Sequence, residues 1–171
     1  MVTEMFDTLN GQILIEATDR GISKIHLPAP GRKGPLRRAA ENPGPSGHPK
    51  AADHLDNAKK ELSEFFNGTR KRFSFPLDVT GTSFQIKVWR ALGEIPFGET
   101  RSYGEIASRI GSPRACRAVG AACRENPIVL VLPCHRVIGK TGALTGYAGG
   151  VRLKQQLIEF EKSVLSGSFP L

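Results

Sequence analysis

The apolar positions of this chain keep a period of two over residues 2–27 and a helical period from residue 80 onward. The first stretch predicts a three-strand β-meander. Asn10-Gly11 is a strong two-residue hairpin signal, Ile13 and Ile15 alternate after it, and Asp19-Arg20-Gly21 makes a second turn before a strand from Ile22 to Leu27. Residues 28–50 hold six prolines and four glycines with almost no large apolar residue, which predicts a surface loop. Leu55, Ala58, Leu62 and Phe65 then fall on one face of a helix over about 51–67, with Gly68 just past its end. A short extended piece over 73–79 closes this α/β half, and the break between domains is expected at residues 76 and 77.

Beyond it, Phe84, Val88 and Leu92 repeat every four residues and predict a helix over 82–92. Ser102 caps a second helix running to about Ile110, with Glu105 at the capping-box position. Gly111-Ser112-Pro113 reads as a tight turn, with Ser112 as N-cap and Pro113 as first residue of a third helix over about 113–125. Two short helices joined by a glycine-containing turn resemble a helix-turn-helix. The third helix carries an apolar stripe of Ala115, Val119 and Ala122, and Arg114, Arg117, Ala121 and Arg124 on another face. That basic face would suit a phosphate backbone, or simply water. A last helix, about Val151 to Val164, has a predicted buried stripe of Leu153, Leu157, Phe160 and Val164. Glu161 falls on the edge of that stripe, so it needs a partner: a histidine, or a salt bridge to Lys154 or Arg152.

Composition adjusts this picture in two ways. The net charge is +8, with a basic excess in both halves, which favours polyanionic partners, nucleic acid first. The three cysteines, Cys116, Cys123 and Cys134, crowd into one short stretch without a Cys-x-x-Cys spacing. That argues against a disulfide scaffold and a zinc site, and for a reducing, intracellular setting. No secretory signal or membrane-length apolar run is visible, so a soluble cytoplasmic protein is expected.

The densest chemistry is Pro133-Cys134-His135-Arg136-Val137, directly after the apolar run Ile128–Leu132. That run predicts a buried strand that delivers the three polar residues at its exit. A thiol acts as a nucleophile only as thiolate, and basic neighbours lower its pKa toward neutrality, so Cys134 is expected to be poised.

A candidate activated cysteine and a candidate DNA-reading helix in one domain resemble the O6-alkylguanine-DNA alkyltransferases, which repair DNA by direct reversal. Pro133–Gly139 matches the family's active-site motif, and Ile95-Pro96-Phe97-Gly98-Glu99-Thr100-Arg101-Ser102-Tyr103-Gly104-Glu105-Ile106-Ala107 matches the entry to its helix-turn-helix. Arg117-Ala118-Val119-Gly120, Asn126-Pro127 and Gly146-Tyr147-x-Gly149-Gly150 fall in register as well. The match covers roughly residues 80–165. The resemblance implies a ribonuclease-H-like N-terminal domain of small antiparallel sheet plus helix, then a mostly α, winged helix-turn-helix domain.

It also implies roles. Cys134 accepts the alkyl group, His135 helps deprotonate it through a water, Glu161 holds His135, and Asn126 fixes the turn before the active-site segment. Tyr103 contacts a phosphate and the purine edge, and Arg117 enters the duplex in place of the flipped base. Arg114, Arg124, Ser102, Ala118 and Gly120 complete a DNA face that docks in the minor groove. Pro133, Val137, Thr145, Gly146 and Tyr147 wall the guanine pocket. The implied reaction is a single irreversible transfer from guanine O6, less so from thymine O4, by a monomer, with cooperative loading along DNA left open. No cofactor or metal is implied, and His26, His48 and His54 do not supply a zinc set. Cys116, where the family usually has alanine, is expected to be a small buried residue. The rival readings are a non-catalytic lesion-binding relative, whose motif lacks the cysteine, a helix-turn-helix regulator, and a cysteine hydrolase.

Overall fold

A computed structural model describes residues 1–8, 11–27 and 49–169. Asn10 of the expected hairpin, and residues 28–48 of the Gly/Pro-rich stretch, lie outside the described residues. The chain divides into two compact units, Met1–Thr80 and Gly81–Leu171. Residues 77–80 stay with the first because Ile22 N donates to Pro76 O at 2.8 Å and Asp78 N donates to Ile22 O at 2.8 Å.

In the first unit, β1 (Val2–Thr8), β2 (Gly11–Thr18) and β3 (Gly21–His26) form an antiparallel sheet in sequence order. Thr18 pairs with Gly21, so Asp19 and Arg20 make a two-residue turn between β2 and β3, whereas Gly11, read in the first turn, instead pairs with Thr8 at the start of β2. Gly21 has φ +150°, and a Cβ there would run into the Pro76 carbonyl, so only glycine lets residues 76–78 lie along β3. Helix α1 (Pro49–Phe66) lays Leu55, Ala58, Leu62 and Phe65 on the sheet, the stripe its periodicity predicted. Glu61 is buried on the same helix, where it accepts from the Ser74 amide at 2.7 Å and the Ser74 hydroxyl.

The second unit is mostly helical: α2 (Ser83–Gly93), α3 (Tyr103–Arg109), α4 (Cys116–Arg124) and α5 (Val151–Ser166). Capping boxes start α2 (Thr82 with Gln85) and α3 (Ser102 with Glu105), each satisfying two backbone amides. Trp89 of α2 donates from Nε1 to Ala122 O at 2.9 Å, pinning α2 to α4. A two-residue parallel pair, β4 (Arg101–Ser102) with β5 (Val137–Ile138), joins the entry of α3 to the Cys-His-Arg segment. No described helix is long and apolar enough to cross a membrane.

Four expectations are corrected. Helix α4 begins at Cys116, not Pro113, because Ala115 N donates back to Ser112 O and closes a turn; Ser112 caps nothing. Cys116 is exposed, since the buried face of α4 is Val119, Ala122 and Cys123. On α5 the deeply buried residues are Lys154, Leu157 and Glu161, while Leu153, Phe160 and Val164 are only half-buried. Ile128–Leu132 is no strand: Leu132 N donates to Ile128 O at 3.0 Å and Leu130 takes φ +73°, making a buried turn.

Truncating the centre of the α1 stripe tests the first unit's core. Leu62→Ala should lower the stability read by urea denaturation and circular dichroism by about 2–5 kcal/mol, the usual range for a fully buried leucine.

Candidate active site

Asn126, just past the end of α4, organises the turn. Its Oδ1 accepts from Ile128 N at 3.0 Å, and its Nδ2 donates to Leu132 O at 2.6 Å and to Cys134 Sγ at 3.3 Å. One buried amide therefore replaces the strand ladder that the apolar run lacks and touches the thiol as well. The backbone emerges into a 3₁₀ turn over Cys134–Arg136, where all three side chains are buried.

Glu161 of α5 meets this turn from the other side. Its Oε1 lies 2.7 Å from His135 Nε2, and Arg136 grips both oxygens, from Nε at 3.1 and 2.9 Å and from Nη2 at 2.9 Å. The Gly98 amide donates to Oε2 at 2.8 Å. Gly98 takes φ +79°, the left-handed region that favours glycine. Arg136 Nη1 also donates to Ile95 O at 2.6 Å, and its guanidinium lies 5.6 Å from the Phe97 ring centre. Sequence reasoning placed Glu161 and His135 but gave Arg136 no structural part. Nor did it foresee Lys154, fully buried, which donates to Thr145 O at 2.9 Å and lies 5.8 Å from the Tyr103 ring centre.

The electrostatics correct the expected poised thiolate. Burial raises the Cys134 pKa, and neither the Asn126 donor nor the Lys154 charge outweighs it. Burial likewise lowers His135, although the Glu161 hydrogen bond and charge oppose it. For Glu161 burial acts upward, but the hydrogen bonds and charges of His135 and Arg136 prevail and its pKa falls. The resting site is thus a neutral thiol, a neutral imidazole and a Glu161–Arg136 ion pair. A carboxylate can only accept, so His135 Nε2 carries the proton and Nδ1 is the bare, basic nitrogen. No hydrogen bond joins His135 to Cys134, and Nδ1 is buried without a partner among the described residues.

The other candidates surround this network or sit apart from it. Pro133 and Val137 are buried beside the turn, and Thr145 and Gly146 are exposed. The Tyr147 ring stands edge-on to His135 with centroids 6.4 Å apart. Tyr103 Oη donates to Thr145 O at 3.4 Å, joining the start of α3 to the 145–147 segment. Ser102 is committed to its cap. Arg114, Arg117, Ala118 and Arg124 are exposed, Gly120 is half-buried, and none of the three arginines is in an ion pair among the described residues.

Glu161→Gln should destabilise the protein by about 3–5 kcal/mol in urea denaturation followed by Trp89 fluorescence, because it strands the buried Arg136 guanidinium. Stability should also fall with pH in two stages. Below about 6.5 the unfolded chain takes up a proton that buried His135 refuses, so stability declines from there downward. The depressed Glu161 contributes fully above about 4.5 and is lost as pH falls through its lower folded value. His135→Gln should abolish the first stage in pH-dependent melting and leave the second.

Residues 83–163 match the family described as 6-O-methylguanine DNA methyltransferase, DNA binding domain. The methylated-DNA–protein-cysteine methyltransferase of Mycobacterium tuberculosis H37Rv is 54% identical over 109 residues, 64% of this chain and 66% of that protein. The matched stretch thus spans just under two thirds of that relative. The Methanosarcina acetivorans protein of the same name is 40% identical over 163 residues, 95% of this chain and 99% of its own length. Among solved structures, that of Mycobacterium tuberculosis OGT in complex with DNA superposes with a TM-score of 0.79 at 40% identity, over 94% of this chain and 92% of that one. With that likeness running nearly end to end, this chain belongs to the methylated-DNA–protein-cysteine methyltransferase family.

Proposed function

We propose that this protein repairs O6-alkylguanine in double-stranded DNA by moving the alkyl group, once and irreversibly, onto its own Cys134. The observation that carries the reading is the buried thiol held by Asn126 at 3.3 Å, on the same turn as a histidine backed by Glu161. A sulfur–carbon bond forms as the carbon–O6 bond breaks. The bonding pair stays with the purine, and the proton shed by the thiol ends on guanine. Displacement at saturated carbon suits a soft sulfur nucleophile and calls for no cofactor.

Each remaining residue has a part. The base is extruded into a pocket walled by Pro133, Val137, Thr145, Gly146 and Tyr147, with Tyr103 against its edge and the neighbouring phosphate. Arg117 fills the gap in the duplex, and Arg114 and Arg124 bind phosphates. Ser102, Ala118 and Gly120 let α3 and α4 sit close to the minor groove. The three exposed arginines, without ion-pair partners among the described residues, support this, since they keep their charge for phosphates. The protein acts as a cytoplasmic monomer and takes thymine O4 adducts less well. Alkylation enlarges a side chain only 4% exposed, so the spent protein is overpacked and less stable.

Mixing the protein with excess duplex containing one O6-methylguanine should add a single methyl, mapped to the Cys134 peptide by intact-protein and peptide mass spectrometry. Cys134→Ala should bind the same duplex without gaining mass, and methylation of that variant would remove Cys134 from its role. Arg117→Ala should slow repair of duplex far more than reaction with free O6-benzylguanine. The logarithm of DNA affinity should fall with that of salt, at a slope near −0.9 per phosphate contact, and a flat response would exclude the basic face.

A further inference from the structure

Lys154, on the first turn of α5, is fully buried, yet no carboxylate lies within ion-pair distance of it among the described residues. A buried charge without a counter-ion is costly, and burial holds this amine below the usual lysine range. An apolar side chain of the same length would suit the core better. Its hydrogen bond gives another reason for a lysine here: Nζ donates to Thr145 O at 2.9 Å. Tyr103 Oη, from the first turn of α3, donates to the same carbonyl at 3.4 Å, and the ammonium lies 5.8 Å from the Tyr103 ring centre. Side chains from two helices thus converge on one backbone oxygen.

That oxygen belongs to a strap that little else holds. Residues 144–146 make no backbone-to-backbone hydrogen bond among the described residues. Gly142, Gly146 and Gly150, at φ +84°, +29° and +86°, interrupt the segment and leave it without a regular element. Its far end nonetheless has a definite place: the Tyr147 ring stands edge-on to His135 with centroids 6.4 Å apart, and its hydroxyl is sealed from solvent.

We propose that Lys154 is a positioning residue that latches the strap 144–149 through the Thr145 carbonyl, and so holds Tyr147 as a wall of the guanine pocket. This deepens the alkyl-transfer reading and rests on it. A charged donor suits the task, because its hydrogen bond to a carbonyl is stronger than that of a neutral amide or hydroxyl. Since Tyr103 is tied to the same atom, the latch also fixes the two sides of the pocket relative to each other. Lys154 is buried and out of reach of DNA, so its effect falls on the transfer step and not on duplex binding. In that step a misplacement of about 1 Å can cost about a hundredfold.

Tyr103 and Tyr147 are the two tyrosines of the sequence, so 3-fluorotyrosine labelling gives two ¹⁹F resonances, both at the latch. Lys154→Met keeps the length of the side chain and removes the ammonium. The Tyr147 resonance, assigned by its loss in Tyr147→Phe, should then move toward that of fluorotyrosine in an unfolded peptide, with no loss of stability in melting followed by circular dichroism. Methyl transfer from saturating duplex containing one O6-methylguanine should slow by about tenfold, with duplex Kd unchanged. Lys154→Gln, which keeps a shorter and neutral donor, should fall between the two in both readouts. An unmoved Tyr147 resonance, a wild-type transfer rate, or a Kd that worsens as much as the rate would each overturn the latch. Loss of folding in both variants would make Lys154 part of the core and overturn it too. Failure of the wild type to methylate Cys134 would bring down the alkyl-transfer reading, while the ¹⁹F shift would still judge the latch.

Discussion

The second unit depends on one buried carboxylate. Glu161 is 1% exposed, and an isolated ionised carboxylate at that depth would be prohibitive. It is tolerated because its two oxygens collect three donors from two separate segments: the Gly98 amide, and His135 with Arg136 on one turn. Helix α5, the loop before β4 and the Cys-His-Arg turn are thereby fixed to a single point. Arg136 extends the attachment to the Ile95 carbonyl and the Phe97 ring. A pair of this kind adds little net stability over a well-packed apolar core, but removal of either partner leaves a bare charge inside. Its value is geometric. It sets which nitrogen of His135 carries the proton, and so which one is free to receive another.

That constraint changes how the thiol is understood. Cysteine between basic residues reads as a low-pKa nucleophile, yet here burial raises Cys134 and lowers His135. The one charge near enough to favour thiolate, Lys154, is itself depressed by burial. In the proposed transfer, deprotonation would therefore accompany the displacement rather than precede it. A neutral resting pair also suits the proposed single transfer, because a standing thiolate would meet any soluble electrophile or oxidant.

Much of this was legible in the sequence where a local rule governs. The capping box Ser102–Glu105 and the α1 stripe form as their spacing demands, and helical geometry alone put Glu161 at a buried edge. What was not legible depended on partners far along the chain. Ile128–Leu132 reads as a strand because a continuous apolar run looks alike in a buried strand and a buried turn; Asn126, through its side-chain amide, decides for the turn. Lys154 reads as a possible salt-bridge partner of Glu161, but it is buried against the Thr145 carbonyl and the Tyr103 ring instead. Ser112-Pro113 carries good helix-start chemistry, but the Ala115–Ser112 hydrogen bond closes a turn first, and the helix begins at Cys116.

The choice of Cys134 over Cys123 follows from the same architecture. Both thiols are buried and both feel Lys154, and the neighbouring Cys134 further disfavours ionisation of Cys123, which is pushed up to about 12. Burial therefore does not separate them, and neither does the nearest cation. The difference is the Asn126 amide, which donates to Cys134 and to the turn's backbone with the same nitrogen. The hydrogen bond that favours sulfur as an anion is inseparable from the one that folds the turn. A chain that folded the turn differently would lose its preferred thiol along with its shape, so the selectivity of the proposed acceptor is a property of the backbone before it is one of the side chain.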